Sequence, residues 1–158
     1  DIDIIYDELL LEFENEEKLA MENKISKVSL LWVIIMVGFM AHIAADILPA
    51  FWGANIAMPD STGEASMGMI MFMMTMAFFV PMCGLLCMNY RKFKVMRVIN
   101  LVLATVMVLF NFFHTSELFM EFNPVQLIIL LAMAVLGVYL FVYSLRMVKQ
   151  NDLGSSVD

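Results

Sequence analysis

Residues 28–51 read VSLLWVIIMVGFMAHIAADILPAF, a run that contains one acidic residue and no lysine or arginine. A helix of about 20 predominantly apolar residues is long enough to cross the hydrocarbon core of a bilayer. The run is too long for the core of a signal peptide, and no small-residue cleavage site follows it. We therefore expect it to form a retained membrane-spanning helix.

Three more apolar runs follow, at residues 67–90, 98–118 and 125–148. Residues of the types AVILMFWYC make up 62% of the 158 positions, and the mean hydropathy is +0.84; soluble domains are roughly 45–50% apolar. The runs lack the alternation at every second residue that marks the strands of membrane barrels. The sequence thus predicts an all-α polytopic membrane protein, with a four-helix transmembrane bundle over residues 25–150.

The lysines and arginines predict how these helices are oriented. Basic residues are enriched on the cytoplasmic side of membrane helices, and here they cluster before the first run, between the second and third, and after the fourth. They are Lys24, Lys27, Arg91, Lys92, Lys94, Arg97, Arg146 and Lys149. The other two connections are short and carry only acidic charges, so consecutive helices should be antiparallel neighbours. We expect both termini in the cytoplasm and the bundle in a bacterial inner membrane.

Aromatic and polar residues near the ends of the runs support this arrangement. Trp32 and Tyr90 fall at the expected inner interface and Trp52 at the outer one, where amphipathic rings are favoured.

Asn100 and Tyr139 are candidates for hydrogen bonds between buried helix faces, of about 1 kcal/mol each.

Residues 1–24, termed here the acidic leader, precede the first run. Eight acidic residues and one lysine within the first 20 positions account for the whole formal charge of −7. Apolar residues recur at helical spacing and predict an amphipathic helix; they are Ile2, Ile5, Tyr6, Leu9, Leu10 and Phe13. Helices that bind anionic lipid are usually basic. A protein partner, or the basic segment at residues 91–97, therefore suits the leader better than lipid, and a solvated acidic tail is the alternative.

The two ends of the chain carry a separate expectation. The chain does not begin with methionine, and Met21 followed by Glu22 would make an ordinary start. Residues 1–20 and 154–158 are therefore treated as segments whose native origin is open. We expect residues 151–158 to form a flexible tail.

Polar residues at matching depths in the first and third runs are the leading site candidates. They are His42, Asp46, Asn111, His114 and Glu117. At 1.5 Å per residue, His42 and Asn111 lie roughly 20 Å from the inner ends of their helices, and Asp46 and Glu117 roughly 27–28 Å. Ionisable groups inside a bilayer usually face the bundle interior and have a partner. We expect these side chains to meet in the outer half.

Several uses fit such a cluster. Two imidazoles and two carboxylates, from His42, Asp46, His114 and Glu117, could hold a divalent metal such as Zn²⁺. The pairing of histidine with a carboxylate could relay protons near neutral pH, or the group could bind a polar solute. A hydrogen-bonded set that fixes helix register is the structural alternative. Thr75 lies at a similar depth and joins the candidates, and Pro81 should kink the second helix.

Sulfur-bearing side chains offer a further hypothesis. Seventeen methionines are present, eight of them between residues 67 and 88, together with Cys83 and Cys87. Thioethers and thiols favour Cu(I), so a copper path can be drawn through the second helix. Methionine also packs irregular gaps between helices, and packing is the preferred interpretation. The C-x-x-x-C spacing on the cytosolic side indicates no disulfide.

Two segments of the first run carry a family resemblance. Leu31-Trp32-Val33 followed by Ala45-Asp46-Ile47-Leu48 resembles a family of small uncharacterised bacterial four-helix membrane proteins loosely related to the DoxX-like group. Those chains have a similar basic loop before the third helix, here residues 91–100. The spacing from Trp32 to Asp46 is about one turn longer than in the family. The resemblance implies a four-helix fold and marks Asp46 for testing, but it implies no activity.

Three functions remain open. The leading hypothesis is a non-enzymatic subunit or accessory of a membrane assembly, with the lipid bilayer and either a protein partner or self-association as its contacts. The first alternative is a carrier or channel for a metal ion, proton or small polar solute, with a divalent metal as the candidate cofactor. The second is a small membrane enzyme. The basic segment is too short for a nucleic-acid surface, and phosphate-binding loops and nucleophile elbows are absent from the sequence.

Overall fold

The computed structural model describes residues 2–56, 63, 66–116, 118 and 124–154. The helical elements are α1 (Ile2–Ile47), a 3-10 turn (Leu48–Trp52), α2 (Met67–Met74), a π-helical turn (Thr75–Phe79), α3 (Val80–Asn89), α4 (Lys94–Ser116) and α5 (Pro124–Gly154). No strand occurs in the described residues. The predicted all-α fold is confirmed.

Four helical segments are long and apolar enough to cross a membrane. They are Lys27–Trp52, Met67–Asn89, Lys94–Ser116 and Pro124–Lys149. The third begins four residues before the predicted run, because Lys94 and Arg97 are included in the first turn of α4. The long aliphatic stems of such residues let their charged heads reach the interface from a helix end. The prediction of four spanning helices is confirmed.

The four segments form a closed ring of neighbours. α1 packs against α3 and α5, and α4 packs against the same two helices, so α1 and α4 face each other across the bundle centre. Side chains from α1 and α4, rather than their backbones, meet in the middle. The outward surface is also apolar, as expected of spanning helices; its exposed residues include Leu30, Val37, Met40, Leu109, Phe113 and Ile128.

The second spanning segment contains a π-helical turn. Pro81 has no N–H, and its ring crowds the carbonyl one turn earlier, which disfavours a regular α-helix there. The chain widens into the π-helical turn Thr75–Phe79 immediately before Val80. The Thr75 hydroxyl donates a 2.7 Å hydrogen bond to the carbonyl of Met71. The chain near Pro81, where the sequence predicts a kink, thus contains a widened helical turn.

The acidic leader is continuous with the first spanning segment. α1 runs for 46 residues, about 69 Å, where a separate short helix was expected. Residues 14–37 contain neither glycine nor proline, so nothing in that sequence ends the helix. Leu10, Leu11, Phe13 and Leu19 are exposed on this extension. At the other terminus, α5 continues to Gly154, and residues 155–158 of the predicted tail lie outside the described residues.

A hydrogen-bonded group, termed here the indole cluster, joins three helices. The indole N–H of Trp32 donates to Oδ1 of Asn100 at 2.9 Å, and Nδ2 of Asn100 donates to the hydroxyl of Ser144 at 2.8 Å. All three residues are buried. The hydrogen-bonding role predicted for Asn100 is confirmed, but the interfacial position predicted for Trp32 is wrong, because this network and the packing of α3 enclose the indole.

Other aromatic residues lie on the bundle surface. Tyr90 and Trp52 are 58% and 80% exposed, as expected for residues near an interface. Tyr139 is 54% exposed, so the buried position predicted for it is wrong.

Basic side chains gather at one end of the bundle, termed here the basic end. The ring of Tyr143 has Lys27 Nζ at 6.0 Å and the guanidinium carbon of Arg146 at 5.9 Å, within or near cation–π range. Arg97 donates a 2.9 Å hydrogen bond to the carbonyl of Arg91, which ties the start of α4 to the preceding turn. The alternating helix directions therefore bring basic residues from three parts of the sequence together.

Candidate functional site

Two buried histidines meet across the bundle centre, in the half remote from the basic end. His42 on α1 and His114 on α4 are each 6% exposed, and their Nε2 atoms lie 2.8 Å apart. The rings are nearly perpendicular, with centroids 4.6 Å apart and an interplanar angle of 89°. The structure thus brings together the two residues that depth counting paired, although their helices are diagonal rather than adjacent.

Gln126, two residues into α5, holds the first of these rings. Its Oε1 lies 2.5 Å from His42 Nδ1. Its Nε2 donates to the His42 carbonyl at 3.3 Å and also to Oδ1 of Asp46. Because both of those partners are acceptors, the amide orientation is determined, and Oε1 must accept a proton carried by Nδ1 of His42.

This assignment fixes the direction of the histidine–histidine hydrogen bond. A neutral imidazole carries one N–H, so in neutral His42 the Nε2 atom is an acceptor. His114 Nε2 then carries the proton and donates it to His42. We call His42, Asp46, His114 and Gln126 the histidine cluster; it is an ordered chain of donors and acceptors across three helices.

Asp46 connects the cluster to the surface of the bundle. Its Oδ2 lies 3.6 Å from His42 Nε2, and its side chain is 55% exposed. The distance is too long for a hydrogen bond but short for a charge interaction. Because α1 and the 3-10 turn after it end within two turns of Asp46, this carboxylate lies at the mouth of the bundle.

The remaining sequence candidates lie in different places. Asn111, one turn from His114, is 2% exposed and donates from Nδ2 to the Met133 carbonyl at 3.0 Å. Its Oδ1 is buried with no hydrogen-bond partner. Thr75 is exposed and donates to its own helix, so it does not join the cluster. Glu117 lies outside the described residues.

Aromatic and apolar side chains close the cluster on the side facing the basic end. Phe110 stacks on His114, with centroids 5.7 Å apart and planes within 10°, and Phe39 lies 5.7 Å from Phe110. Ile35 and Met107 are fully buried behind them. The histidine and indole clusters are therefore separated by a packed apolar layer.

The metal hypothesis can be tested against the donor geometry. Two histidine nitrogens on one tetrahedral Zn²⁺ lie ~3.3 Å apart, given bonds of about 2.0–2.1 Å, whereas the pair here is at 2.8 Å. Among the described side chains, no group of three or more His, Cys, Asp or Glu is placed to hold a metal. The described arrangement is a hydrogen bond between imidazoles.

The sulfur-bearing residues do not line a continuous interior path in the described part of the chain. Met67, Met69, Met71 and Met74 are exposed on the surface of the bundle. Cys87 is buried and Cys83 half-buried, and both are free thiols. Met88, Met107, Met133 and Met147 are buried in the apolar core. The methionines that are buried act as packing residues, and those on α2 form part of the apolar outer surface.

Sequence reasoning missed Gln126 because the candidate list favoured ionisable residues. A signal was available, since Gln126 is a polar residue near the outer end of the fourth run, at the depth of Asp46. The chain matches no protein-family model, no curated protein and no solved structure at a significant level. Fold and site together define a class: an all-α protein with four helices able to span a membrane and a buried histidine pair near one end.

Proposed function

We propose that the protein is a non-enzymatic subunit or accessory of a larger membrane assembly. The observation that carries the proposal is the extension of α1 beyond the spanning segment. Leu10, Leu11, Phe13 and Leu19 are 58–73% exposed there, among acidic residues. Apolar side chains grouped on an otherwise charged helix are typical of an interaction surface. A protein partner with apolar and basic groups fits it.

The packing of the bundle favours this proposal over an open channel. Ile35, Phe39, Met107 and Phe110 fill the interior between the histidine and indole clusters. An ion crossing this layer would lose its hydration without gaining polar contacts, which is costly. This closed interior is consistent with a protein that acts by contacting a partner with its outer surface.

Affinity purification from native membranes tests the proposal. Leu10 and Phe13 share a helix face, so the double variant Leu10→Glu/Phe13→Glu should release a partner that the unaltered chain retains. Glu12→Gln, on another face of the same helix, is the matched control and should retain it. Recovery of the unaltered chain only as a free monomer, also after mild crosslinking, would contradict a subunit role.

The orientation in the membrane forms part of the proposal. The positive-inside tendency and the basic end support a cytoplasmic location for both termini, in a bacterial inner membrane. In a Cys83→Ser/Cys87→Ser background, an impermeant thiol reagent applied to intact cells should label Phe51→Cys and not Lys92→Cys. The reverse labelling pattern would show that the basic end lies outside the cytoplasm and would contradict the proposed orientation.

A second candidate function is a carrier for a proton, metal ion or small polar solute. The contact between His42 and His114 supports it, together with Asp46 at the mouth, because buried ionisable residues in spanning helices often mark ion or proton pathways. Transport would require movement of the apolar layer beneath. Proteoliposomes should then show a flux that His42→Gln abolishes; equal fluxes in both proteins and in empty vesicles would exclude transport of the species measured.

A further inference from the structure

We infer that Lys27, Tyr143 and Arg146 form a binding site for the headgroup phosphate of one anionic phospholipid, at the basic end of the bundle where α1 packs against α5. The inference goes beyond the proposed subunit function and does not depend on it. It rests on two cationic side chains from different helices, which approach the same tyrosine ring.

The three side chains lie at the depth of lipid headgroups. Lys27 is the first residue of the first spanning segment, and Arg146 is in the last turn of the fourth. Tyrosine rings are enriched at the same depth, where the ring contacts apolar groups and the hydroxyl contacts water. Tyr143 is half-buried, whereas Lys27 and Arg146 are exposed. Both cationic groups are therefore accessible to a lipid that lies beside α1 and α5.

The charges of this group are not balanced by the described part of the chain. Nζ of Lys27 and the guanidinium carbon of Arg146 each lie within 6.0 Å of the centre of the Tyr143 ring, and neither is paired with a described carboxylate. One ring compensates little of two positive charges, because a cation–π contact at an exposed site is weak. The two cations repel each other, and an anion held by both would remove that repulsion.

The donor types favour a phosphate group. A guanidinium can donate two parallel hydrogen bonds to a pair of phosphate oxygens, and a lysine ammonium adds a compact positive charge. Basic side chains between spanning helices at headgroup depth are typical of sites for anionic headgroups. A zwitterionic lipid also has a phosphate, but the two cations repel its positively charged group. The site therefore favours a lipid of net negative charge, such as phosphatidylglycerol.

Apolar surface next to the headgroup site fits a lipid better than free phosphate. Tyr139, one turn nearer the bundle middle, stacks on Tyr143 with ring centres 6.5 Å apart and planes within 24°. It is 54% exposed. On α1, Ile34 is also exposed, and it shares a helix face with Lys27, seven residues earlier. An acyl chain can cover Tyr139 and Ile34 while its phosphate contacts Lys27 and Arg146.

Native mass spectrometry of the full-length protein in detergent tests the site. Phosphatidylglycerol or phosphatidylcholine is added, and the lipid that stays bound to each chain is counted. We expect one phosphatidylglycerol to be retained in preference to phosphatidylcholine. Lys27→Gln and Arg146→Gln should each raise its apparent Kd roughly fivefold, the effect of one basic residue at an anionic membrane surface. Lys92→Gln is the matched control and should leave the Kd unchanged, because it removes an exposed charge that has no described contact with Tyr143.

Two further arms complete the experiment. Arg146→Lys keeps the positive charge and should bind more tightly than Arg146→Gln, while circular dichroism checks that each variant is folded. Inorganic phosphate should not displace the lipid. The inference would be overturned by equal retention of the two lipids, by displacement with inorganic phosphate, by an equal loss in Lys92→Gln, or by folded glutamine variants that bind normally. The comparison of lipids uses the unaltered chain, so it is decisive even where a variant does not fold.

Discussion

The indole of Trp32 packs directly against the backbone of Gly84. A Cβ atom added at position 84 would lie 2.2 Å from Cε2 of the indole and 2.6 Å from Cζ2 and Nε1. These distances are far inside van der Waals contact, so α3 can approach α1 this closely only with glycine there. Small residues serve this purpose at many helix interfaces in membranes.

Gly84→Ala should therefore destabilise the bundle. The indole cannot move freely, because its N–H is bonded to Asn100, and overpacking of a well-packed core typically costs about 1–3 kcal/mol. Unfolding in mixed micelles, followed by circular dichroism, measures the change. Gly68→Ala is the matched control, since nothing lies within 4 Å of a Cβ there; it should be neutral or slightly stabilising. Equal effects of the two changes would contradict the packing argument.

Replacement of Asn100 should affect stability more than replacement of Ser144. Asn100→Leu leaves the Trp32 N–H and the Ser144 hydroxyl without their shared partner, which costs roughly 1–3 kcal/mol. Ser144→Ala removes one hydrogen bond, about 0.6 kcal/mol on average in membrane bundles. The double variant should show coupling, because both changes act on one network. Strict additivity in chemical unfolding would argue that the two hydrogen bonds are independent.

Gln126→Glu should destabilise the bundle at neutral pH. The substitution places a carboxylate oxygen opposite two acceptors, the His42 carbonyl and Oδ1 of Asp46, where the amide group donates. A buried acceptor facing acceptors costs roughly 1–3 kcal/mol. Acidification should restore part of the stability, because the protonated acid can donate again. Unfolding measured across pH checks the trend, and a stability equal to that of the unaltered chain at neutral pH would contradict the assigned amide orientation.

The two tryptophans should respond differently to quenchers. Trp32 is fully buried and Trp52 is 80% exposed. With Trp52→Phe, the remaining indole should emit at short wavelength and resist both iodide and brominated lipid. With Trp32→Phe, the remaining indole should be quenched by at least one of them. Strong quenching of Trp32 by brominated lipid would restore its assignment to the interface.

The sequence predicted the spanning helices well because membrane crossing depends on length and composition, which a sequence states directly. The depth of a residue along its helix is also simple to count. Such counting placed His42 close to the depth of His114, although the two residues are 72 positions apart in the sequence. The direction in which a side chain points around α1 or α5 is not readable in this way, because apolar residues are spread around all sides of these two helices. Trp32 and Tyr139 were misplaced for that reason, one being buried and the other exposed.

Hydrogen-bond partners were harder to predict than positions. The role of Gln126 depends on how far α5 rotates toward α1, which is set by packing throughout the bundle. Likewise, the continuity of α1 from Ile2 to Ile47 followed from the absence of helix breakers, but composition alone had suggested a separate leader.

The unbroken α1 has a mechanical consequence. The histidine and indole clusters hold α1 at two positions, His42 and Trp32, which are ten residues or about 15 Å apart along the helix. Leu10 lies a further ~33 Å beyond Trp32 on the same helix. If Trp32, locked between Gly84 and Asn100, acts as a fulcrum, a lateral movement of 1 Å at His42 corresponds to roughly 2 Å at Leu10 in the opposite direction. The histidine end and the exposed leader are then the short and long arms of one lever.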